Sequence, residues 1–180
     1  MDEKIYTLAE NGIVNGLEKR DIIHANGILY LSVQCWVMNS MAQVLIQKRS
    51  SGKDQSAGKW DVSFGGHCTL CLNRDILIEN VIKEGREELG LNCSKSDVIC
   101  LGNARYVSMN GNNRELLNIF LIRVPNDQMF IFHDGEVVAI KWVDMNELDK
   151  FSGQLATYAN RQIAVSFLKK HVIAVLNKQS

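Results

Sequence analysis

Apolar residues alternate with other side chains along most of this chain, and the strands so marked follow one another with few helices between them. From Leu29 to Met38, Val33, Cys35 and Val37 alternate with Ser32, Gln34 and Trp36. Asn39-Ser40 then makes a tight turn, and Val44 and Ile46 carry the pattern on through Ala42 to Lys48, so the two runs form a hairpin candidate. Trp60 to Phe64 reads as a short strand running into Gly65-Gly66, and Val98 to Val107, Leu116 to Val124 and Val137 to Val143 read as further strands. Near the start, Glu10-Asn11-Gly12 and Asn15-Gly16 are turn-prone and flank a short segment, which suggests an N-terminal β-hairpin. Helical spacing takes over at Ile76, with Leu77, Val81, Ile82 and Leu89 on it and Gly90 where the helix would stop. Asp144 to Glu147 offers another helix start, and Ala164 to Leu176 is amphipathic. Strands this seldom separated by helices argue against a doubly wound βαβ arrangement. The expectation is an α+β fold with mixed strand pairing.

Length and charge narrow the function classes. A chain of 180 residues, 46% of them hydrophobic, can bury a sizeable core as one domain. The expected division is an N-terminal extension over 1–28 and a core over 29–176. Pro125 is the single proline, and no repeat or low-complexity stretch marks a linker. Lys plus Arg number 20 and Asp plus Glu number 20, so the formal net charge is zero. That balance argues against a nucleic-acid polymer or a membrane surface as partner, since both call for excess positive charge. It leaves room for a small phosphorylated ligand. No apolar run reaches the roughly 18–20 residues that span a bilayer. Met1-Asp2-Glu3-Lys4 does not read as a signal peptide, and the five cysteines are an odd set without disulfide-framework density. A cytoplasmic protein with reduced thiols is the expectation.

The chemical signal is Gly65-Gly66-His67 followed by Lys83-Glu84-Gly85-Arg86-Glu87-Glu88-Leu89-Gly90-Leu91. On a helix, Glu84, Glu87 and Glu88 stand at i, i+3 and i+4 and share one face. Carboxylates packed that way repel one another, and a hard divalent cation turns the repulsion into attraction. Mg²⁺ and Mn²⁺ favour oxygen ligands, and Mg²⁺ combines a few carboxylates with water and substrate phosphate. A solvated acidic helix face, with Lys83 and Arg86 as intrahelical partners, is the alternative reading of the same residues.

These residues resemble the signature of the Nudix family, Gly-x5-Glu-x7-Arg-Glu-apolar-x-Glu-Glu-x-Gly-apolar. Glu84, Glu87, Glu88, Gly90 and Leu91 match it. Lys83 stands at the arginine position, keeping the charge but losing the planar fork. Gly85 stands at an apolar position, and Asp75 at the earlier glutamate. The segment from Gly66 to Asp75 is three residues longer than the pattern. Outside the signature, Val44 to Ser50, Lys53, Gly58 to Ser63, Gly65-Gly66-His67 and Lys141-Trp142-Val143 look like the Nudix branch related to isopentenyl-diphosphate isomerase.

The resemblance implies a mixed β-sheet packed between helices and a metal-dependent hydrolase acting on a nucleoside diphosphate linked to another moiety. Glu84, Glu87 and Glu88 would hold Mg²⁺ or Mn²⁺ with the backbone carbonyl of Gly66, and Lys83 would orient the acidic helix. Arg49, Lys53 and Glu136 are candidates for contact with substrate, Glu136 also as a base. A Nudix domain that binds a nucleotide or partner without turnover is the alternative. The isomerases of the similar branch use a cysteine where this chain has Gly65, so isomerisation is the less favoured chemistry. The partner implied is a small diphosphate compound, and a homodimer is common among similar proteins. His67-Cys68-x-x-Cys71 lacks a second Cys/His pair for zinc. Cys93 and Cys100 read as buried or inert thiols, and Trp60, Trp142, Tyr106 and Phe120 as core by default.

Overall fold

The computed structural model describes residues 3–52, 56–69, 74–133, 135–151 and 158–176; Lys53 and Cys71 lie outside them. In chain order the elements are β1 (Lys4–Leu8), β2 (Val14–Lys19), α1 (Arg20–Asn26), β3 (Leu29–Met38), β4 (Gln43–Arg49), β5 (Trp60–Asp61) and β6 (Phe64–His67). Then come α2 (Arg74–Leu89), β7 (Val98–Val107), β8 (Arg114–Arg123), β9 (Val137–Asp144), α3 (Leu148–Phe151) and α4 (Tyr158–Leu176). The fold is α+β, with mixed pairing in a single hydrogen-bonded sheet.

Every residue of β3 is buried, and the sheet is organised around it. One edge pairs in parallel with β8 from Leu29↔Arg114 to Met38↔Arg123. The other edge is divided among β1 at Tyr30, β6 from Ser32 to Cys35, and β4 at Met38. The two faces of β3 feed two cores. Leu31, Val33, Cys35 and Val37 pack with Val81 and Leu89 of α2, whereas Trp36 and Met38 pack with Ala164, Val165 and Leu168 of α4. Trp36 Nε1 donates to the Ala164 carbonyl at 3.1 Å, pinning α4 across the sheet. The sheet therefore lies between helices, as the family pattern implies. Burying a side chain as large as these contributes about 1.5–3 kcal/mol each.

The expected hairpin of β3 and β4 exists only at its closed end, where Met38 faces Val44. Asn39 Oδ1 accepts the backbone N–H groups of Met41 and Gln43 and makes the turn. Beyond it the strands part, and β4 pairs along its length with β9. The hydroxyl of Ser63 fills the gap: Val37 N–H donates to it at 2.7 Å, and it donates to the Leu45 carbonyl at 2.6 Å. The single strand expected over Trp60 to Phe64 is broken at this point. β5 pairs with β4 and β6 with β3, so the chain changes neighbours through Val62 and Ser63.

At the N-terminus β1 and β2 form the expected hairpin, turning over residues 9–13. Asn15-Gly16 is not the second turn. It lies inside β2, where the register shifts opposite Thr7 and Leu8. The seven-residue helix α1 follows, a feature too short for helical periodicity to reveal. Ser63 is fully buried, so Ser63→Ala would leave a backbone donor and acceptor unpaired. It should lower stability by about 1–3 kcal/mol, read as a lower urea midpoint with an unchanged slope.

Candidate functional site

The acidic residues lie on the last turns of α2, and burial grades them. Glu88 points inward and is 4% exposed, Glu84 is largely covered, and the Glu87 side chain is 51% exposed. The helix stops at Gly90, whose φ of 63° and N–H bond to the Arg86 carbonyl turn the chain away. The Leu89 carbonyl accepts the Ile131 N–H at 2.9 Å, so the loop after β8 caps this end of α2.

The glycines of β6 let the helix approach. A Cβ on Gly66 would lie 2.5 Å from the Glu84 carboxyl carbon, so only glycine permits that carboxylate against the strand. Gly65 N–H donates to Glu88 Oε1 at 3.3 Å, and Gln47 Nε2 donates to Glu88 Oε2 at 2.7 Å. Gln47 itself is buried on β4. Burial pushes the Glu88 carboxyl up to about 8, against the two hydrogen bonds and with help from the charges of Glu84 and Glu136. Burial likewise raises Glu84, with Lys83 opposing and Glu87 adding to it. Lys83 Nζ sits 3.1 Å from Glu84 Oε1 and 3.0 Å from Glu87 Oε2. Burial works against its charge, but Glu87 and Glu84 outweigh that and raise the ammonium's pKa.

The family model described as NUDIX domain matches residues 29–164. The chain belongs to the Nudix family. Among curated relatives, it is 28% identical over 83% of its length to Nudix hydrolase 3 of Arabidopsis thaliana, of which the match spans 20%. It is 27% identical over 81% of its length to isopentenyl-diphosphate Delta-isomerase 1 of Aromatoleum aromaticum, spanning 79% of that protein. The chain thus covers a fifth of the first relative and about four-fifths of the second. A crystal structure of DR0079 from Deinococcus radiodurans superposes with a TM-score of 0.67 at 19% identity, covering 93% of this chain and 98% of that one. The NUDIX domain of Shewanella oneidensis NrtR, complexed with ADP ribose, superposes with a TM-score of 0.58 at 14% identity, covering 79% and 87%.

Within this Nudix sheet the departures from the signature acquire physical reasons. A Cβ on Gly85 would lie 3.0 Å from Phe64 Cζ, so the ring of Phe64 occupies the space that an apolar side chain on α2 would take. Asp75 is exposed in the first turn of α2, over two helical turns from Glu84. Arg49 Nη1 is paired with the buried Asp61 at 3.2 Å, and Glu136 sits just before β9, close enough to Glu88 to raise it. Lys83, Glu84, Glu87, Glu88 and Gly66 are therefore gathered at one place, Glu136 lies at its margin, and Arg49 is drawn onto Asp61. Among the described residues no group of three His, Cys, Asp or Glu side chains forms a ready metal cage.

Gln47 escaped the sequence reading as a site residue, because a glutamine inside a strand carries no spacing signal. Its partner is distant in sequence and only the sheet brings the two together. Cys68 is fully buried in the core on the α2 side. Cys93 is half-buried and Cys100 is exposed, and both are free thiols, so of the expectation of buried or inert thiols burial does not hold for Cys100. Cys100 lies on β7, where a register shift begins opposite β8.

Glu88 makes stability depend on pH with a definite sign. An unfolded glutamate titrates near ~4.3, whereas the folded carboxyl titrates at about 8. Between those values the folded protein holds the extra proton, so stability present below pH ~4 is lost as pH rises toward 8. Metal-free protein should melt lower at pH 8 than at pH 5. Glu88→Gln, which never ionises, should flatten that slope in thermal scans across pH; an unchanged slope would remove Glu88 as its source.

Proposed function

We propose that this chain is a divalent-metal-dependent hydrolase that cleaves the diphosphate of a nucleoside diphosphate linked to another moiety. The observation that carries the reading is the pairing of α2 with β6, which brings Glu84 against the Gly66 backbone beside Glu87 and the clamped Glu88. Glu84, Glu87 and Glu88, with the Gly66 carbonyl, are the groups that would hold Mg²⁺ or Mn²⁺. Their donors are all hard oxygens, which suits these ions. When bound, such a cation neutralises phosphate charge and acidifies water.

The protein's own residues do the rest. Lys83 orients Glu84 and Glu87 through its two short contacts. Gln47 and Gly65 hold both oxygens of Glu88, which fixes its rotamer in a buried setting. Glu88, held at both oxygens beside Glu84, is one base candidate toward the attacking water. Glu136 at the margin of the site is the second base candidate. A phosphate contact by Arg49 would have to share the guanidinium with Asp61. Lys53, the other basic candidate, retains its proposed role from the sequence alone.

Two observations favour hydrolysis over the alternatives. A Cβ on Gly65 would lie 2.7 Å from the Val33 carbonyl oxygen, so this backbone has no room for the cysteine that isomerases of the similar branch carry. Cys68, buried on the core side, does not replace it. The ring of Phe64 fits against Gly85, which supports reading that departure from the signature as a packing match.

The test is turnover by the purified protein with Mg²⁺ or Mn²⁺ on ADP-ribose, nucleotide sugars and dinucleoside polyphosphates. Metal-dependent release of phosphate-bearing products is expected. Glu84→Gln and Glu87→Gln should each lower kcat/KM by at least ~100-fold, the upper range for groups that merely support a ligand. No turnover on any substrate, together with no metal-dependent thermal shift, would sink the proposal.

A further inference from the structure

The Nudix match begins at residue 29, so β1, β2 and α1 lie ahead of it. β1 nevertheless continues the sheet onto the residues that follow Gly66. Tyr6 N–H donates to the Cys68 carbonyl at 3.1 Å, and Cys68 N–H donates to the Leu31 carbonyl at 3.1 Å. Glu3, just before β1, reaches the last residue of β6, its Oε1 lying 3.0 Å from His67 Nδ1. Glu3 is itself held from α1. Arg20 N–H donates to the Glu3 carbonyl at 3.0 Å, and Arg20 Nε stands 3.7 Å from Glu3 Oε2.

The consequence falls on the neighbours of His67. Two glycines in succession have more backbone freedom than any other pair, and the acidic site depends on where Gly65 and Gly66 sit. Gly65 N–H bonds Glu88, and a Cβ on Gly66 would lie 2.5 Å from the Glu84 carboxyl carbon. Functional groups must be held to within about 0.5 Å of their working geometry, so such a pair needs restraint from both sides. Upstream, Phe64 is fully buried against Gly85. Downstream, His67 packs its ring on Tyr30 and bonds Glu3. The His67 and Glu3 side chains are 23% and 41% exposed, and an ion pair that open contributes little to stability. Its effect is on geometry.

We propose that Glu3 is a positioning residue for the acidic site. Through His67 it fixes the end of β6, and with it Gly65 and Gly66 against Glu88 and Glu84. The N-terminal hairpin and α1, outside the matched region, thereby set how tightly the site takes its cation. The proposal rests on the hydrolase reading above for the identity of that cation.

The experiment uses the full chain. In metal-free protein the backbone amide NMR signals and hydrogen-exchange rates of Gly65 and Gly66 report the strand. The EPR signal of free Mn²⁺ reports metal affinity, and turnover is followed on the compound that the wild-type protein cleaves best. Glu3→Ala should move both glycine amides, speed exchange at Gly65 and raise the Mn²⁺ dissociation constant about tenfold, the lower range for a residue that supports a metal site from behind. The Mn²⁺ concentration for half-maximal turnover should rise alike, with kcat at saturating Mn²⁺ and the metal-free melting temperature little changed. Glu3→Gln, which keeps an oxygen for His67, should restore most of the affinity. Glu10→Ala is the control, since it removes the bridges from the hairpin turn to Arg105 and Arg114 and should leave the glycine amides and the Mn²⁺ affinity as they are. Unmoved glycine amides or unchanged Mn²⁺ affinity in Glu3→Ala, or the same changes in Glu10→Ala, would overturn the positioning role. A wild-type protein that binds no Mn²⁺ would overturn it together with the hydrolase reading. Mn²⁺ binding that responds to Glu3→Ala, without turnover of any compound, would remove the hydrolase reading alone.

Discussion

Where β3 and β4 part company, two backbone groups would be stranded in the interior, and the Ser63 hydroxyl satisfies both. A buried peptide group without a partner costs as much as a lost hydrogen bond, so this one side chain makes the divergence tolerable. The next residues then become β6. Phe64 fills the space beside Gly85, Gly65 offers its N–H to Glu88, and Gly66 admits the Glu84 carboxylate. The acidic helix can approach the strand only because the strand arrives there without side chains in its way.

That arrangement places charge where water is scarce. Glu88 is held by a neutral amide and a backbone N–H, and Lys83 answers Glu84 and Glu87 from the more open side. Buried carboxylates so close together are expensive in isolation, and they are the kind of group that a divalent cation stabilises. Across the sheet the same strands bury a second polar network around Glu115, whose carboxylate accepts from Ser32 and Asn113. The two networks meet at Gly66-His67, one residue apart.

Much of this was legible beforehand. The spacing of Glu84, Glu87 and Glu88 defines a helix face through a periodicity that is local to the chain, and the alternation in β3 and β8 marks strands for the same reason. What the pattern misread was pairing. The run from Trp60 to Phe64 looks like one strand but serves two neighbours, and β3 and β4 look like a full hairpin but touch only at the turn. Both faces of β3 are buried, and its Tyr30 meets His24 and His67.

The amino-acid sequence by itself determined the acidic helix, its stop at Gly90, the succession of strands and the family they belong to, because each depends on contacts between residues near in the chain. Only the tertiary structure decided that Gln47 clamps Glu88, that Gly85 yields to Phe64, that Arg49 is drawn onto Asp61, and that His24 meets Tyr30 and His67. These are contacts across the sheet or between it and the helices. Side-chain type can permit them, but it is the pairing of distant strands and the packing of helices on them that bring the partners within reach.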